Sequence, residues 1–98
     1  MISIQEKLKE HMIKKNLDII KVSLEITKGG WCDGAQKLQV EVMKEIEDTN
    51  GFTKYDVDGI SVYIDDELEL RDEVEIQYLY YIPLIGTIMK TSGIRIRD

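Results

Sequence analysis

Alternation of apolar and polar side chains with a period of two constrains this chain more than any other feature of its sequence. It runs over residues 20–26 and returns over residues 38–42, 60–64 and 74–80. Because successive side chains of a β-strand point to opposite faces of a sheet, each segment predicts a strand with one buried face. The sequence therefore predicts a mainly β fold.

One segment departs from this period. Over residues 3–16 the apolar positions recur at helical intervals, and Ser3 and Glu6 have the spacing of a capping box. No strand–helix–strand alternation follows this N-terminal helix, which disfavours a parallel sheet. We therefore predict an α+β fold, a small antiparallel β-sandwich or barrel of about six strands with the helix packed against it. The length predicts a single domain over residues 1–98.

Turn signals indicate where the predicted strands begin and end. Asp58-Gly59, between two apolar segments, is the strongest hairpin signal in the chain. Pro83 is expected to end a strand, because proline cannot donate a hydrogen bond to a ladder. Residues 65–73 are acidic and predict a connection or a short helical turn. At the end of the chain only residues 94–96 are predicted as a strand.

Composition and charge exclude several classes of protein. Thirteen Lys and Arg against 19 Asp and Glu give a net charge of -6, which argues against binding nucleic acid. No apolar run approaches the roughly 20 residues of a membrane helix, and the N-terminus lacks the order of a signal peptide. A single cysteine cannot form an internal disulfide, which points to a reducing compartment. We therefore expect a soluble, cytoplasmic protein that binds neither nucleic acid nor membrane.

The glycine-rich residues 29–34 contain the only cysteine, Cys32. Such loops hold a metal, a cluster or an activated thiolate in some proteins and are simple turns in others. Zinc takes about four N or S ligands, whereas this chain has one cysteine and one histidine, His11. A metal site would therefore need a second subunit, a carrier thiol or carboxylates. A carboxylate of Asp33 on the same side would raise the pKa of the thiol, which counts against a highly reactive thiolate.

Two other sets of residues are candidates for ligand contacts. His11 lies among Lys and Glu of the helix, where a histidine is more often a surface residue than a ligand. A Cys–His pair would require the helix to bring His11 to the cysteine. Tyr78, Tyr80 and Tyr81, with Trp31, could stack on a ligand, although strand aromatics more often pack in the core or across strands. No acid–base constellation is visible, so we expect no enzymatic activity.

Three segments of the sequence have counterparts in one known family. Residues 30–34 follow the pattern GG-C-x-G with one inserted residue, and residues 58–65 follow the pattern dG-v-v-v-d. Residues 86–96 are similar to a closing glycine-and-strand segment. With these motifs the chain resembles the HesB/IscA-like family. It is most similar to the small branch whose loop carries a Cys-Cys or Cys-selenocysteine pair, a position that Trp31-Cys32 would occupy here.

The resemblance implies a compact β-rich fold related to proteins that bind iron or carry iron–sulfur clusters. Cys32 is the only residue that it carries over, as cofactor-binding and metal-binding ligand, because the chain has no Cys-x-Cys near its C-terminus. Our first hypothesis is a non-enzymatic HesB-like protein that binds iron, an iron–sulfur cluster or another soft metal through Cys32. The site would be shared within a homodimer or with an iron–sulfur assembly or carrier protein. The alternatives are a degenerate HesB-like fold acting as an interaction module through an exposed strand edge, and a thiol-redox protein using Cys32.

Overall fold

The computed structural model describes residues 1–27 and 35–96, which form one helix and seven strands in two sheets. In chain order the elements are β1 Ile2–Ile4, α1 Glu6–Lys15, β2 Ile19–Thr27, β3 Ala35–Met43, β4 Phe52–Val57, β5 Ile60–Asp65, β6 Leu68–Ile82 and β7 Gly86–Ile96. One sheet has the strand order β1-β6-β7 and the other the order β3-β2-β5-β4. The predicted fold class, mainly β with one N-terminal helix, is confirmed.

The pairing within the two sheets is mixed. The pairs β2–β3, β4–β5 and β6–β7 are antiparallel, as predicted. In contrast, β2 pairs with β5 and β1 pairs with β6 in parallel. Parallel neighbours need a long crossover connection, which is often a helix. Here β3 and β4 provide the connection between β2 and β5, so parallel pairs arise without the strand–helix–strand alternation on which the prediction was based.

The helix begins later than the sequence predicted. Ser3 belongs to β1 and is not a helix cap, since α1 starts after Gln5, whose side chain makes no capping hydrogen bond. Ile4 pairs with Ile76 of β6 and both are buried, so the strand gains core contacts that another helical turn would lose. No helix within residues 1–27 and 35–96 is long and apolar enough to cross a membrane.

The hairpin of β6 and β7 is much longer than predicted. Residues 65–73 were predicted as a connection or a short helical turn, but only residues 66–67 connect β5 to β6. β6 begins at Leu68, which is buried and pairs with Ile96. The charged residues 71–73 of this strand are exposed to solvent, whereas the apolar residues Leu68 and Val74 on either side of them are buried in the core. The sequence prediction was correct at Pro83, since β6 ends at the preceding residue. β7 then runs unbroken over a segment of which only the last three residues were predicted as a strand.

The core lies between the two sheets and α1. Leu8 and Met12 of α1 have no exposed surface, so the helix contributes an apolar face to the core. The strands contribute the other buried apolar side chains, which are Ile4, Ile20, Val22, Ile60, Val62, Ile64, Leu68, Val74, Ile76 and Ile94. Side chains from β1, β2, β5, β6 and β7 therefore share one core.

The Asp58-Gly59 turn has the geometry that the sequence predicted. Both residues have positive φ, 52° for Asp58 and 84° for Gly59, as a two-residue type I′ hairpin turn requires. The turn also contacts the helix, because Lys9 Nζ lies 3.1 Å from Asp58 Oδ2 and 2.6 Å from Glu6 Oε1. Hydrogen bonds to these two carboxylates hold the pKa of Lys9 above its usual value. The β4–β5 hairpin is thereby connected to the first turn of α1.

Candidate functional site

Cys32, predicted to bind a metal or a cluster, lies outside the described residues, as do its neighbours Trp31 and Asp33. The strands on either side of this segment are described. β2 and β3 pair along their whole length, from Ile19–Met43 to Thr27–Ala35. The segment that carries Cys32 therefore connects the two strands at the Thr27 end of a nine-residue ladder. Its position between two strands agrees with the sequence prediction.

The side chain of His11, a residue of α1, packs against the outer part of the β6–β7 hairpin and does not lie on an open helix face. Its Nε2 is 2.8 Å from Thr87 Oγ1. Its ring centroid is 4.7 Å from that of Tyr78 and 5.6 Å from that of Tyr81. None of these partners lies in β2 or β3, the strands that flank Cys32. Among the side chains that the structure describes, no three of His, Cys, Asp or Glu form a group that could hold a metal ion.

A bulge in β6 directs two of the predicted stacking tyrosines towards α1. The register with β7 shifts between Tyr78 and Tyr80, so Tyr78 and Tyr81 come to face the same helix. Lys7 Nζ lies 5.5 Å from the Tyr78 ring centroid, and Lys15 Nζ lies 4.2 Å from that of Tyr81. These two tyrosines pack on the helix by cation–π and ring contacts. Tyr80, in contrast, remains 53% exposed.

The surroundings of His11 lower its pKa below the usual value of 6.5. Burial is the main cause, and the charges of Lys15 and Lys14 on the same helix add to it. The side chains that β6 and β7 place against His11 are those of Tyr78, Tyr81 and Thr87, and none of the three is a carboxylate that would favour the protonated ring. The imidazole of His11 therefore binds a proton less readily in the folded protein than in the unfolded chain.

This lowered pKa predicts that mildly acidic pH weakens the fold. The free energy of unfolding should be highest above the usual histidine pKa and should fall as the pH drops from about 7.5 to about 5.5. It falls because His11 is protonated at a higher pH in the unfolded state than in the folded state. His11→Gln removes the only histidine of the chain and should flatten this dependence. Urea unfolding of both proteins at the two pH values measures it. An equal fall in stability in both would contradict the assignment to His11.

The end of the β6–β7 hairpin exposes a cluster of apolar side chains that the sequence prediction missed. Residues 79–85 are termed the apolar tip below. Its exposed members, with exposed fractions, are Leu79 (47%), Tyr80 (53%), Tyr81 (39%), Leu84 (106%) and Ile85 (73%). A signal was present in the sequence, since residues 76–89 contain no charged residue in a chain that is 33% charged. A large exposed apolar cluster of this kind is typical of an interaction surface.

A cleft of about 720 Å³ opens where β1, β4 and β6 approach each other. Its polar lining includes Lys54, Asp56 and Arg71, beside the apolar side chains of Ile2 and Val57. Lys54 Nζ lies 3.7 Å from Asp56 Oδ1, and both side chains are more than half exposed. An exposed ion pair of this kind contributes little binding energy. The cleft therefore supplies fewer distinctive contacts than the apolar tip.

The two sheets and the N-terminal helix form a small α+β fold of the HesB-like type. The fold is similar to that in the crystal structure of Escherichia coli SufA, a protein involved in the biosynthesis of iron–sulfur clusters. The TM-score is 0.56 and the sequence identity 9%, over 94% of this chain and 79% of the SufA chain. The small HesB-like fold predicted from the sequence is thereby confirmed.

The family of the chain follows from its sequence. The model of the CC/Se motif containing family matches residues 1–82, and the chain belongs to this family. The matched residues include Cys32 and the two strands that flank it. No curated protein matches the sequence.

Proposed function

We propose that this protein binds iron, an iron–sulfur cluster or another soft metal through Cys32, at a site that a second protein completes. The observation that carries the proposal is the position of Cys32, between two fully paired strands and inside the segment matched by the CC/Se motif family. We further propose that the protein acts in the cytoplasm, where a single thiol stays reduced, and that it catalyses no reaction.

The chemistry of a thiol favours the binding of a soft metal or an iron–sulfur cluster. Thiolates are the protein ligands that iron–sulfur clusters and soft metals prefer. Three glycines accompany Cys32 within residues 29–34, and backbone amides close to sulfur would stabilise its thiolate form. SufA is involved in the biosynthesis of iron–sulfur clusters, and its fold is similar to that of this chain. This similarity supports iron or an iron–sulfur cluster as the bound metal.

One cysteine supplies one ligand, so the rest of the site must come from elsewhere. A cluster held by cysteines alone needs four thiolates, and a homodimer of this chain would supply two. An iron–sulfur assembly or carrier protein, or a small thiol, would complete the set. We place the chain nearest the Cys-Cys or Cys-selenocysteine branch of the HesB-like proteins, with Trp31 standing where that branch has the first partner of the pair.

Anaerobic reconstitution with ferrous iron, sulfide and a small thiol that can supply the remaining ligands, followed by absorption spectroscopy, tests the proposal. The wild-type protein should develop the visible absorption of a cluster, and Cys32→Ala should lose it, because the variant lacks the only thiolate. His11→Gln is the matched control and should keep the absorption, since the partners of His11 lie in β6 and β7. Equal absence of a signal in wild type and Cys32→Ala would reject the proposal.

A second candidate function, that of an interaction module, is favoured by the apolar tip. Leu84 is fully exposed and Ile85 is 73% exposed at the end of a long hairpin. Exposure of this extent is more than the scattered surface leucines of a monomer require. This function and metal binding are compatible, because the tip and Cys32 belong to different hairpins.

A further inference from the structure

Leu84 occupies a turn position that ordinarily belongs to glycine. Pro83 and Leu84 are the central residues of the turn between β6 and β7, which the Ile85 N–H closes by donating to the Ile82 carbonyl at 3.1 Å. Leu84 has a φ of 75°, as at the third position of a type II turn, where Gly or Asn is usual. A leucine there is strained, and its side chain is fully exposed. The turn therefore presents a protruding apolar side chain at the end of the hairpin.

Lysines of α1 lie beside the base of the apolar tip. Lys15 Nζ is 4.2 Å from the centroid of the Tyr81 ring, and Lys7 Nζ is 5.5 Å from that of Tyr78. Lys14 follows Lys7 by seven residues, which places both on the same face of a helix. Three positively charged side chains therefore border the tip on its α1 side.

The charges of these three lysines are not neutralised by ion pairs within the described part of the chain. Lys9, on the opposite side of α1, is in contrast paired with both Glu6 and Asp58. Residues 76–89 of the hairpin carry no charge at all. Although the chain has a net charge of -6, the α1 side of the tip is therefore positive. An exposed apolar tip beside unpaired lysines is complementary to an anionic lipid surface.

The length of the tip matches the depth of a membrane interface. A strand advances about 3.3 Å per residue, so Leu84 reaches roughly 7–10 Å beyond Tyr81, the ring that Lys15 contacts. Apolar elements at a membrane surface enter about 5–10 Å into the boundary between headgroups and acyl chains. When Leu84 and Ile85 lie at that depth, Lys15 lies among the headgroups. The exposed Tyr80 then lies at the interface, where tyrosines are enriched. A fluid bilayer admits such a convex tip without a preformed pocket, which a protein partner would need.

We propose that the apolar tip inserts into the surface of an anionic lipid bilayer, with the lysines of α1 against the lipid headgroups. This binding rests on the second candidate function, the interaction module, and is independent of metal binding at Cys32. The sequence predicted no membrane binding because no segment is long enough to span a bilayer, but binding at the surface requires no such segment. The contact should be weak and reversible, since even a myristoyl chain binds a bilayer only marginally by itself.

Flotation with lipid vesicles, in reducing buffer without iron, tests the proposal. The wild type should bind vesicles of equal parts phosphatidylserine and phosphatidylcholine much more tightly than vesicles of phosphatidylcholine alone, and added salt should weaken the binding. Leu84→Gly should weaken it about tenfold while the fold is kept or stabilised, because glycine relieves the strain of positive φ. Thermal unfolding verifies the fold. The control Ile13→Ala removes another exposed apolar side chain from the side of α1 opposite His11 and Lys15, and should leave the binding unchanged.

Changes of charge test how the tip is oriented on the bilayer. Lys7→Gln and Lys14→Gln should each weaken binding to the anionic vesicles by up to about fivefold. Lys54→Gln is the matched control and should have no effect, because this exposed lysine belongs to β4 and lines the cleft beside β1. Glu41 lies with Ile85 in the lining of a groove between β3 and β7, so Glu41→Gln should tighten the binding by removing a negative charge beside the tip.

Three results would overturn the proposal. They are a wild type that binds neither kind of vesicle at low salt, a Leu84→Gly variant that binds as tightly as the wild type, and lysine variants that bind no more weakly than Lys54→Gln. The first would leave the tip as a surface for a protein, so the interaction module would stand without its lipid partner. Cys32→Ala should bind vesicles as the wild type does, so failure of lipid binding and failure of metal binding are distinguishable.

Discussion

Gly93→Ala is expected to destabilise the folded protein by about 3 kcal/mol or more. Gly93 has a φ of 83°, and a Cβ added there would lie 2.0 Å from the carbonyl oxygen of Glu73 and 3.0 Å from Val74 Cα. Both neighbours are backbone atoms, so no rotation of a side chain can relieve the overlap. The β6–β7 register shifts between Leu70 and Glu75, and the missing side chain of Gly93 allows the two strands to approach at this bulge.

The predicted loss has two causes, the strain of positive φ and the steric overlap of the added Cβ. A second glycine with nearly the same φ allows them to be measured separately. Gly51 has a φ of 82°, but a Cβ added to it would meet no atom within 4 Å. Gly51→Ala therefore carries only the strain of positive φ, of the order of 1 kcal/mol. Urea unfolding of both variants measures the difference. A loss in Gly93→Ala no greater than that in Gly51→Ala would contradict the close packing of β7 on β6.

Leu8→Ala is expected to cost about 2–5 kcal/mol of folding free energy. Leu8 has no exposed surface, and it belongs with Met12 to the only face of α1 that enters the core. Removing three carbon atoms from this position would leave a cavity between the helix and the sheets, because close-packed surroundings relax only in part. Denaturant unfolding followed by circular dichroism measures the loss.

The same helix provides the control for Leu8→Ala. Ile13 is 77% exposed, so Ile13→Ala removes a similar volume without opening a cavity. Its effect should stay within about 0.5 kcal/mol. Similar losses in the two variants would show that α1 does not pack on the sheets through Leu8.

The strands that the sequence predicted are those with one buried and one polar face. In β2 the alternate residues Ile20 and Val22 are buried, in β5 every second residue from Ile60 to Ile64 is buried, and the Asp58-Gly59 turn sets the register of the β4–β5 hairpin. The start of β6 and most of β7 were not predicted, because acidic residues and Gly93 have low strand propensity. Pairing along the long hairpin holds these residues in strands, and that pairing joins residues too distant in sequence for a local pattern to reveal.

The residues of the candidate site were likewise predicted where the signal is local in the sequence and missed where it depends on distant contacts. Cys32 was identified from its glycine-rich surroundings and remains a prediction, since it lies outside the described residues. The environment of His11 depends on Thr87, which is 76 positions away in the chain, so the helix pattern alone suggested a surface histidine. The exposed Leu84 follows from a turn geometry that Pro83 permits but does not dictate.

Metal analysis of the freshly purified protein, beside a Cys32→Ser variant purified in the same way, tests the central claim most directly. The proposed function predicts that iron accompanies the wild-type protein under anaerobic conditions and is lost from Cys32→Ser, because a hydroxyl is a much poorer ligand for a soft metal than a thiolate. The stability of the variant should be unchanged. Equal metal contents in the two proteins, including none in either, would contradict a site that depends on Cys32.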